Sequence, residues 1–385
     1  MPHTVKSKEA YIETASGVEV LSGAVISTEG GRISAVGTSG GVSIDLSEYR
    51  ILPGLVDIHI HGGDGVDVMD TTEDAVRKLA AFKLREGVTS FCPATVTAPL
   101  ERTKKAIAAV KAVKASPHDK EAKIIGAFLE GPYIDPVYKG AHPEAFIREI
   151  SIDELRELAD IGEGSIISAA IAPNLPGAIE AIKFLKSRGI IPRIGHGNAT
   201  LAEANAAIAA GAGIVIHTYN AMSPLTHREP GFVGAALTNP DVYCEIICDL
   251  VHVHPTAARL LVNARGADKV VMITDCMTAG GLGDGDYMLG ELSVTVKDSQ
   301  ARITDSGTLA GSIIGLITAV KNMHEAVGVP LADAVRMASL TPAQALGRAD
   351  IGGIRPGKQA DLIAIDADYN VKFVMLDGKI VLDER

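Results

Sequence analysis

Five apolar runs in this chain stop at side chains able to bind a cation or move a proton. ILPGLVDIHIH ends in His59 and His61, KIIGAFLE in Glu130, IIPRIGH in His196, GIVIH in His217 and VVMITD in Asp275. A buried strand has no packing reason to finish in an imidazole or a carboxylate. One such ending reads as a satisfied core histidine or a surface acid; five together point to one polar site. In His59–Ile60–His61, a period of two puts both imidazoles on one face of a strand, with Ile58 and Ile60 packing away from them. Both rings can then hold one ion, and imidazole with carboxylate suits Zn, Fe(II), Mn or Co. Beside a divalent ion Asp275 stays ionised and can accept a proton from an activated water. The plainer roles for the same carboxylate are a helix N-cap or a structural acceptor.

The elements that must position these residues alternate. GVTSFCPAT reads as a strand after a helix stopped by Gly87, and Pro99 opens a helix to about Ala115 before KIIGAFLE. Ser151 and Glu154 have capping-box spacing at the start of the next helix, which precedes SIISAAIAP. Helices near 177–188, near 200–210 and from Pro255 separate the strands IIPRIGH, AGIVIHTY, VYCEIICD and DKVVMITD. Strands alternating with helices of this length predict a parallel β/α barrel over residues 53–346, whose strand ends meet at one mouth. A β-hairpin insertion is expected near 287–303. Residues 1–52 and 347–385, rich in short β-branched runs and glycine turns such as Asp377-Gly378, are expected to form one small β-sandwich domain.

The 385 residues are 47% hydrophobic and 22% charged, with a formal net charge of -11, as expected of a large α/β domain plus a smaller one. Without a Lys/Arg cluster there is no footprint for nucleic acid. A single phosphate can still be held by one or two Arg or His side chains. Cys92, Cys244, Cys248 and Cys276 are too few and too scattered for a disulfide scaffold, and Cys244 and Cys248 read as structural thiols in a buried strand. No leader-like apolar segment opens the chain and no run is long enough to span a bilayer, so a cytoplasmic protein without a membrane partner is expected. His3, His118, His227 and His324 lack a partner pattern. GGLGDG after Asp275 fits neither a phosphate loop nor a dinucleotide fingerprint, and no Gly-x-Ser-x-Gly indicates a serine nucleophile.

Across nearly its whole length the sequence resembles the amidohydrolase superfamily, and within it the subgroup that deacetylates N-acetylglucosamine 6-phosphate. The resemblance is carried by PGLVDIHIHG (53–62), GVTSFCPAT (87–95), LEGPYID (129–135), KGAH (139–142), GHGNAT (195–200), HTYNAMSPLTHREPG (217–231), DLVHVHP (249–255), ITDCMTAGG (273–281) and TLAGS (308–312). It implies a TIM-like (β/α)8 barrel with a small terminal β-sandwich. Glu130, His196 and His217 then match the principal metal ligands, and Asp275 the proton-transfer aspartate. His142, beside Ala141, matches a residue near the sugar and its acetyl group. Asn220, Ala221, Arg228, His252 and the segment Leu309, Ala310, Gly311 and Ser312 match positions that hold a sugar phosphate. As an alternative, Arg228 could pair with Glu229 on the surface. Some members replace both histidines of the H-x-H pair and bind one ion; His59 and His61 are intact here, so one or two divalent ions are implied, two of them bridged by Glu130. The subgroup is typically a homodimer whose phosphate site can borrow a residue from the neighbouring subunit. The implied reaction is hydrolysis to glucosamine 6-phosphate and acetate. The competing readings are the galactosamine epimer, an N-acyl amino acid deacylase on the same scaffold, and a non-catalytic sugar-phosphate sensor.

Overall fold

The structure, a computed structural model, describes residues 2–385. Both ends of the chain build one 8-stranded sheet. His3–Thr14, Gly17–Ser22, Val25–Glu29, Arg32–Gly37 and Ile44–Pro53 join Leu362–Ile365, Val371–Leu376 and Lys379–Asp383. Its last hairpin turns at Asp377 (φ 47) and Gly378 (φ 74), the left-handed pair that a two-residue turn requires. Val5, Ile26, Ile51, Leu362 and Phe373 form a core here, separate from that of the middle of the chain.

The middle alternates as its pattern predicts. Its parallel strands are β1 (Leu55–Ile60), β2 (Val88–Pro93), β3 (Ala127–Leu129), β4 (Ile166–Ile171), β5 (Ile191–Ile194), β6 (Ile214–Val215), β7 (Tyr243–Ile247) and β8 (Val270–Ile273), each followed by a helix. β3 to β8 hydrogen-bond in chain order in a 6-stranded sheet, while β1 and β2 pair with Lys123–Ile124 in a 3-stranded one. Contacts cross between these arcs at both seams. Ala94 bridges Phe128 in parallel at the ends of β2 and β3, and the Asp275 N–H donates to the His59 carbonyl at 3.0 Å beyond β8. Helix residues such as Leu79, Ile107, Leu158 and Ile182 pack with Ile60, Phe91, Ile194 and Met272 in the largest core, whereas Val56, Ile58, Phe128, Ile214 and Ile273 belong to a second cluster. Among the described residues no helix is long and apolar enough to cross a membrane.

Four expectations are corrected locally. KIIGAFLE is not one strand: a side chain at Gly126 would lie 2.6 Å from the Ser165 carbonyl oxygen, and at this close approach Lys123–Ile124 pairs back to β2 while Ala127–Leu129 pairs forward to β4. Ile58 and Ile60 do not share a face, because the β1 register shifts between Asp57 and Ile60 and sends Ile58 into the cluster of Phe128. The Ser151 capping box is half made: Ser151 Oγ accepts from the Glu154 N–H at 3.3 Å, but the Glu154 carboxylate takes Arg148 Nε at 2.9 Å instead. The inserted hairpin is a meander of Gly285–Leu289, Leu292–Lys297 and Gln300–Ile303, since Asp298 (φ 51) and Ser299 (φ 61) turn the chain once more.

Candidate active site and metal centre

The strand ends bring His59, His61, Glu130, His196, His217 and Asp275 together. Glu130 stands between two pairs of imidazoles. Its Oε1 lies 3.1 Å from Nε2 of both His196 and His217, and its Oε2 lies 3.2 Å from His59 Nε2 and 2.9 Å from His61 Nε2. His196 Nε2 and His217 Nε2 are 3.0 Å apart. On the other side Asp275 Oδ1 is 3.1 Å from His61 Nε2 and 3.6 Å from His59 Nε2. Donor atoms of His59, His61 and Asp275, and those of Glu130, His142 and His196, lie close enough to hold an ion in each group.

The far nitrogen of each ring decides what Nε2 can do. His196 Nδ1 donates to the Tyr138 carbonyl at 2.9 Å, His217 Nδ1 to the Asn220 carbonyl at 3.2 Å and His59 Nδ1 to Glu245 Oε2 at 2.9 Å. With the proton fixed on Nδ1, a neutral ring offers a lone pair at Nε2, as a metal ligand must. His142 is wired the other way. Its Nδ1 accepts the Thr97 N–H at 3.2 Å, with the Thr97 hydroxyl at 2.8 Å, so its neutral ring carries the proton on Nε2. His142 therefore suits donation to a carbonyl oxygen better than binding a cation, although its Nε2 lies 3.9 Å from Glu130. Burial, reinforced by the neighbouring His196 ring, keeps the His142 pKa well below the ordinary histidine value.

Burial alone would discourage charge on the acids, yet the neighbouring imidazoles win. When these rings are doubly protonated, the charge of His59 and hydrogen bonds from His196 and His217 hold Glu130 well below the usual carboxylate range. The same balance, with His59 and His61 opposing burial, brings Asp275 down to about 2. For His61 burial is overcome by Asp275 and Glu130, which raise it to about 10. Two carboxylates held ionised among four imidazoles, whose neutral form offers lone pairs, make a donor set that a divalent cation fits.

A family model described as Amidohydrolase family matches residues 50–381. The chain belongs to the amidohydrolase family. It is 40% identical over 362 residues to the N-acetylglucosamine-6-phosphate deacetylase of Vibrio furnissii, covering 92% of this chain and 90% of that one. It is 42% identical over 341 residues to the N-acetylgalactosamine-6-phosphate deacetylase of Escherichia coli O157:H7, covering 88% and 90%. Among solved structures, a mutant N-acetyl-D-glucosamine-6-phosphate deacetylase of Mycobacterium smegmatis in complex with N-acetyl-D-glucosamine-6-phosphate matches with a TM-score of 0.93 and 32% identity over 99% of both chains.

In this amidohydrolase the loops after the strands hold several of these residues in unusual backbone. His196 (φ 47), His217 (φ 28), Ala221 (φ 49) and Asp275 (φ 48) are all left-handed. That conformation costs about 1–3 kcal/mol per residue and persists only where the surroundings enforce it. At Asp275 the enforcement is visible. Its N–H reaches the His59 carbonyl at 3.0 Å, its carbonyl takes the Ser312 N–H at 2.8 Å, and the preceding Thr274 hydroxyl donates to Asp57 Oδ2 at 2.6 Å.

A cavity of about 270 Å³ opens over the centre, lined among others by His61, Glu130, Ala141, His142, His196, His217, Asn220, Ala221, His252, Asp275, Leu309 and Gly311. His252 is held by Asp249, whose Oδ2 lies 2.7 Å from its Nδ1, and that pairing overcomes burial to raise the His252 pKa. Three expected substrate contacts stand apart from the cavity wall. Ala310 is buried with Met277 and Leu289, and the Ser312 hydroxyl donates to the Thr274 carbonyl. Arg228 is exposed, and Glu229 does not pair with it: the Glu229 carboxylate accepts the Leu201 and Gly231 N–H groups.

The sequence reading missed Tyr138, Thr97 and, most of all, Glu245 and Arg193. Both of the latter are fully buried and 2.6 Å apart. Their signal was present: a charged residue inside each of two otherwise apolar strands, VYCEIICD and IIPRIGH.

Proposed function

We propose that this protein hydrolyses N-acetyl-D-glucosamine 6-phosphate to D-glucosamine 6-phosphate and acetate. The observation that carries this is the pairing of an ionised Asp275 with a proton-bearing His142 across one cavity that also exposes Glu130, His196 and His217. Glu130, His196 and His217 would hold one divalent cation and His59 and His61 a second; when bound, such an ion would supply a Lewis acid and lower the pKa of water from about 15.7 towards 7, and Zn, Fe, Mn and Co all suit these donors. Asp275 accepts the proton of the attacking water and returns it to the departing amine nitrogen. His142 donates from Nε2 to the carbonyl oxygen as negative charge develops there. Ala141, Asn220, Ala221, His252, Leu309 and Gly311 surround the sugar phosphate in this reading.

Arg228, exposed and away from its own cavity wall, reaches the phosphate best from a neighbouring protomer of a homodimer. The parallel strands read as a closed (β/α)8 barrel over 53–346, supported by the contacts at both seams. Residues 2–52 and 347–385 read as a β-sandwich, the 8-stranded sheet closing around its own core. Four free, buried cysteines suit the reducing cytoplasm.

The relative that is 42% identical favours a second reading, in which the galactosamine epimer is the better substrate. Acetate release by metal-loaded enzyme, compared as kcat/KM for the two epimers and for N-acetylglucosamine without phosphate, tests both. The proposal expects the glucosamine epimer to lead. A lead for the other epimer selects the second reading, and no acetate from either ends both.

A further inference from the structure

The inner faces of alternate strands carry Ile58 and His59 on β1, Phe128 on β3, Arg193 on β5 and Glu245 on β7. A barrel interior is ordinarily filled there by branched apolar residues. Here two opposite charges are buried without exposure. Burying an ion pair is costly, and apolar residues of similar volume generally pack as stably or better, so stability does not explain the pair.

Its contacts do. Glu245 Oε1 takes Arg193 Nη1 at 2.6 Å, and its Oε2 takes His59 Nδ1 at 2.9 Å and the His217 N–H at 3.3 Å. Arg193 Nη1 also donates to the Ile58 carbonyl at 3.1 Å, inside the register shift of β1, and the guanidinium lies 4.0 Å from the centre of the Phe128 ring. Phe128 in turn meets the His59 ring edge-on at 4.8 Å. We infer that Glu245, oriented by Arg193, is a positioning residue that keeps the proton of His59 on Nδ1, so that Nε2 is free to hold the second ion of the centre. The inference deepens the metal-centre reading above and rests on it. A histidine ligand whose outer partner is lost typically binds metal about 10–100-fold more weakly.

Glu245→Gln keeps the shape of the side chain and removes its charge. Arg193 can only donate, so the amide oxygen must face it. The amide NH2 then faces His59 Nδ1, which must accept, and the ring proton moves to Nε2, where it blocks the ion. The same NH2 also meets the His217 N–H, whose longer 3.3 Å contact is lost while the His217 ring stays anchored by the Asn220 carbonyl.

Chelator-stripped full-length protein is titrated with Zn2+, and bound metal is counted by equilibrium dialysis. Wild type is expected to bind two ions per chain. Glu245→Gln should keep one tight ion, which also reports an intact fold, and bind the second about 10–100-fold more weakly. Glu245→Gln with Arg193→Met should recover the second, because the amide oxygen can then turn to the His59 N–H. A second ion as tight in Glu245→Gln as in wild type overturns the inference. So does loss of both ions from that variant, a folded double variant without recovery, or a wild type that binds only one. The count involves no sugar, so a failure here leaves the deacetylase reading standing, and a lack of acetate release by wild type leaves the count intact.

Discussion

The two halves of the centre are anchored by different kinds of group. His196 and His217 are fixed at Nδ1 by the backbone carbonyls of Tyr138 and Asn220, at 2.9 and 3.2 Å. In the other half His59 is fixed by a side chain, Glu245, and His61 Nδ1 has no hydrogen-bond partner among the described residues. A carbonyl can neither titrate nor turn without moving the chain, whereas a carboxylate depends on its own partner and an unanchored ring can rotate or change tautomer. On the proposed metal-centre reading, the half made by Glu130, His196 and His217 would be the permanent one, and the half made by His59, His61 and Asp275 the exchanging one.

The largest effect should come from breaking the permanent half. His217→Ala is expected to abolish acetate release by more than about 10⁴-fold, several kcal/mol of lost charge stabilisation, together with the tight ion. Metal analysis finding one tight ion still bound would mean the permanent half is elsewhere. Asp275→Asn should lower kcat by about 10²–10⁴-fold with substrate binding retained; near-normal turnover would remove Asp275 from proton transfer. His142→Phe should cost about 10²–10³-fold in kcat with metal content unchanged, as for loss of one oxyanion donor. Loss of an ion from that variant would make His142 a ligand and sink the tautomer argument. Dialysis of loaded enzyme against a weak chelator should strip one ion at least about tenfold faster than the other, the faster one belonging to the half of His59 and His61. Equal rates would erase the comparison. The smallest expected effect is a rise of about tenfold in KM for Arg228→Ala with kcat little changed, roughly one charged hydrogen bond to phosphate. An unchanged KM would place the phosphate elsewhere.

The ligand types were legible because each ends an apolar run, where contrast with its neighbours is greatest. The alternation of strand and helix was legible for the same reason, since periodicity is local. Glu245 and Arg193 were not absorbed, although each interrupts such a run, because their meaning lies in facing each other from β7 and β5 with His59 beside them. The register shift in β1 was hidden too. H-x-H predicts alternation, but Ile58 joins His59 on the inner side because the chain bulges between Asp57 and Ile60. Gly126 split the expected third strand through a backbone approach to Ser165, a contact with a segment far along the chain.

By itself the sequence determined which side chains could bind a cation, which could carry a proton, and that strands and helices alternate between them. These are properties of residue type and of spacing along one chain. The tertiary structure decided which nitrogen of His196, His217 and His142 carries the proton of the neutral ring, because that depends on an acceptor or donor that the folded backbone brings up: the carbonyls of Tyr138 and Asn220 for His196 and His217, and Thr97 for His142. It also decided that Arg228 stands outside its own cavity wall, since exposure follows from the whole packed surface and not from any neighbour in sequence.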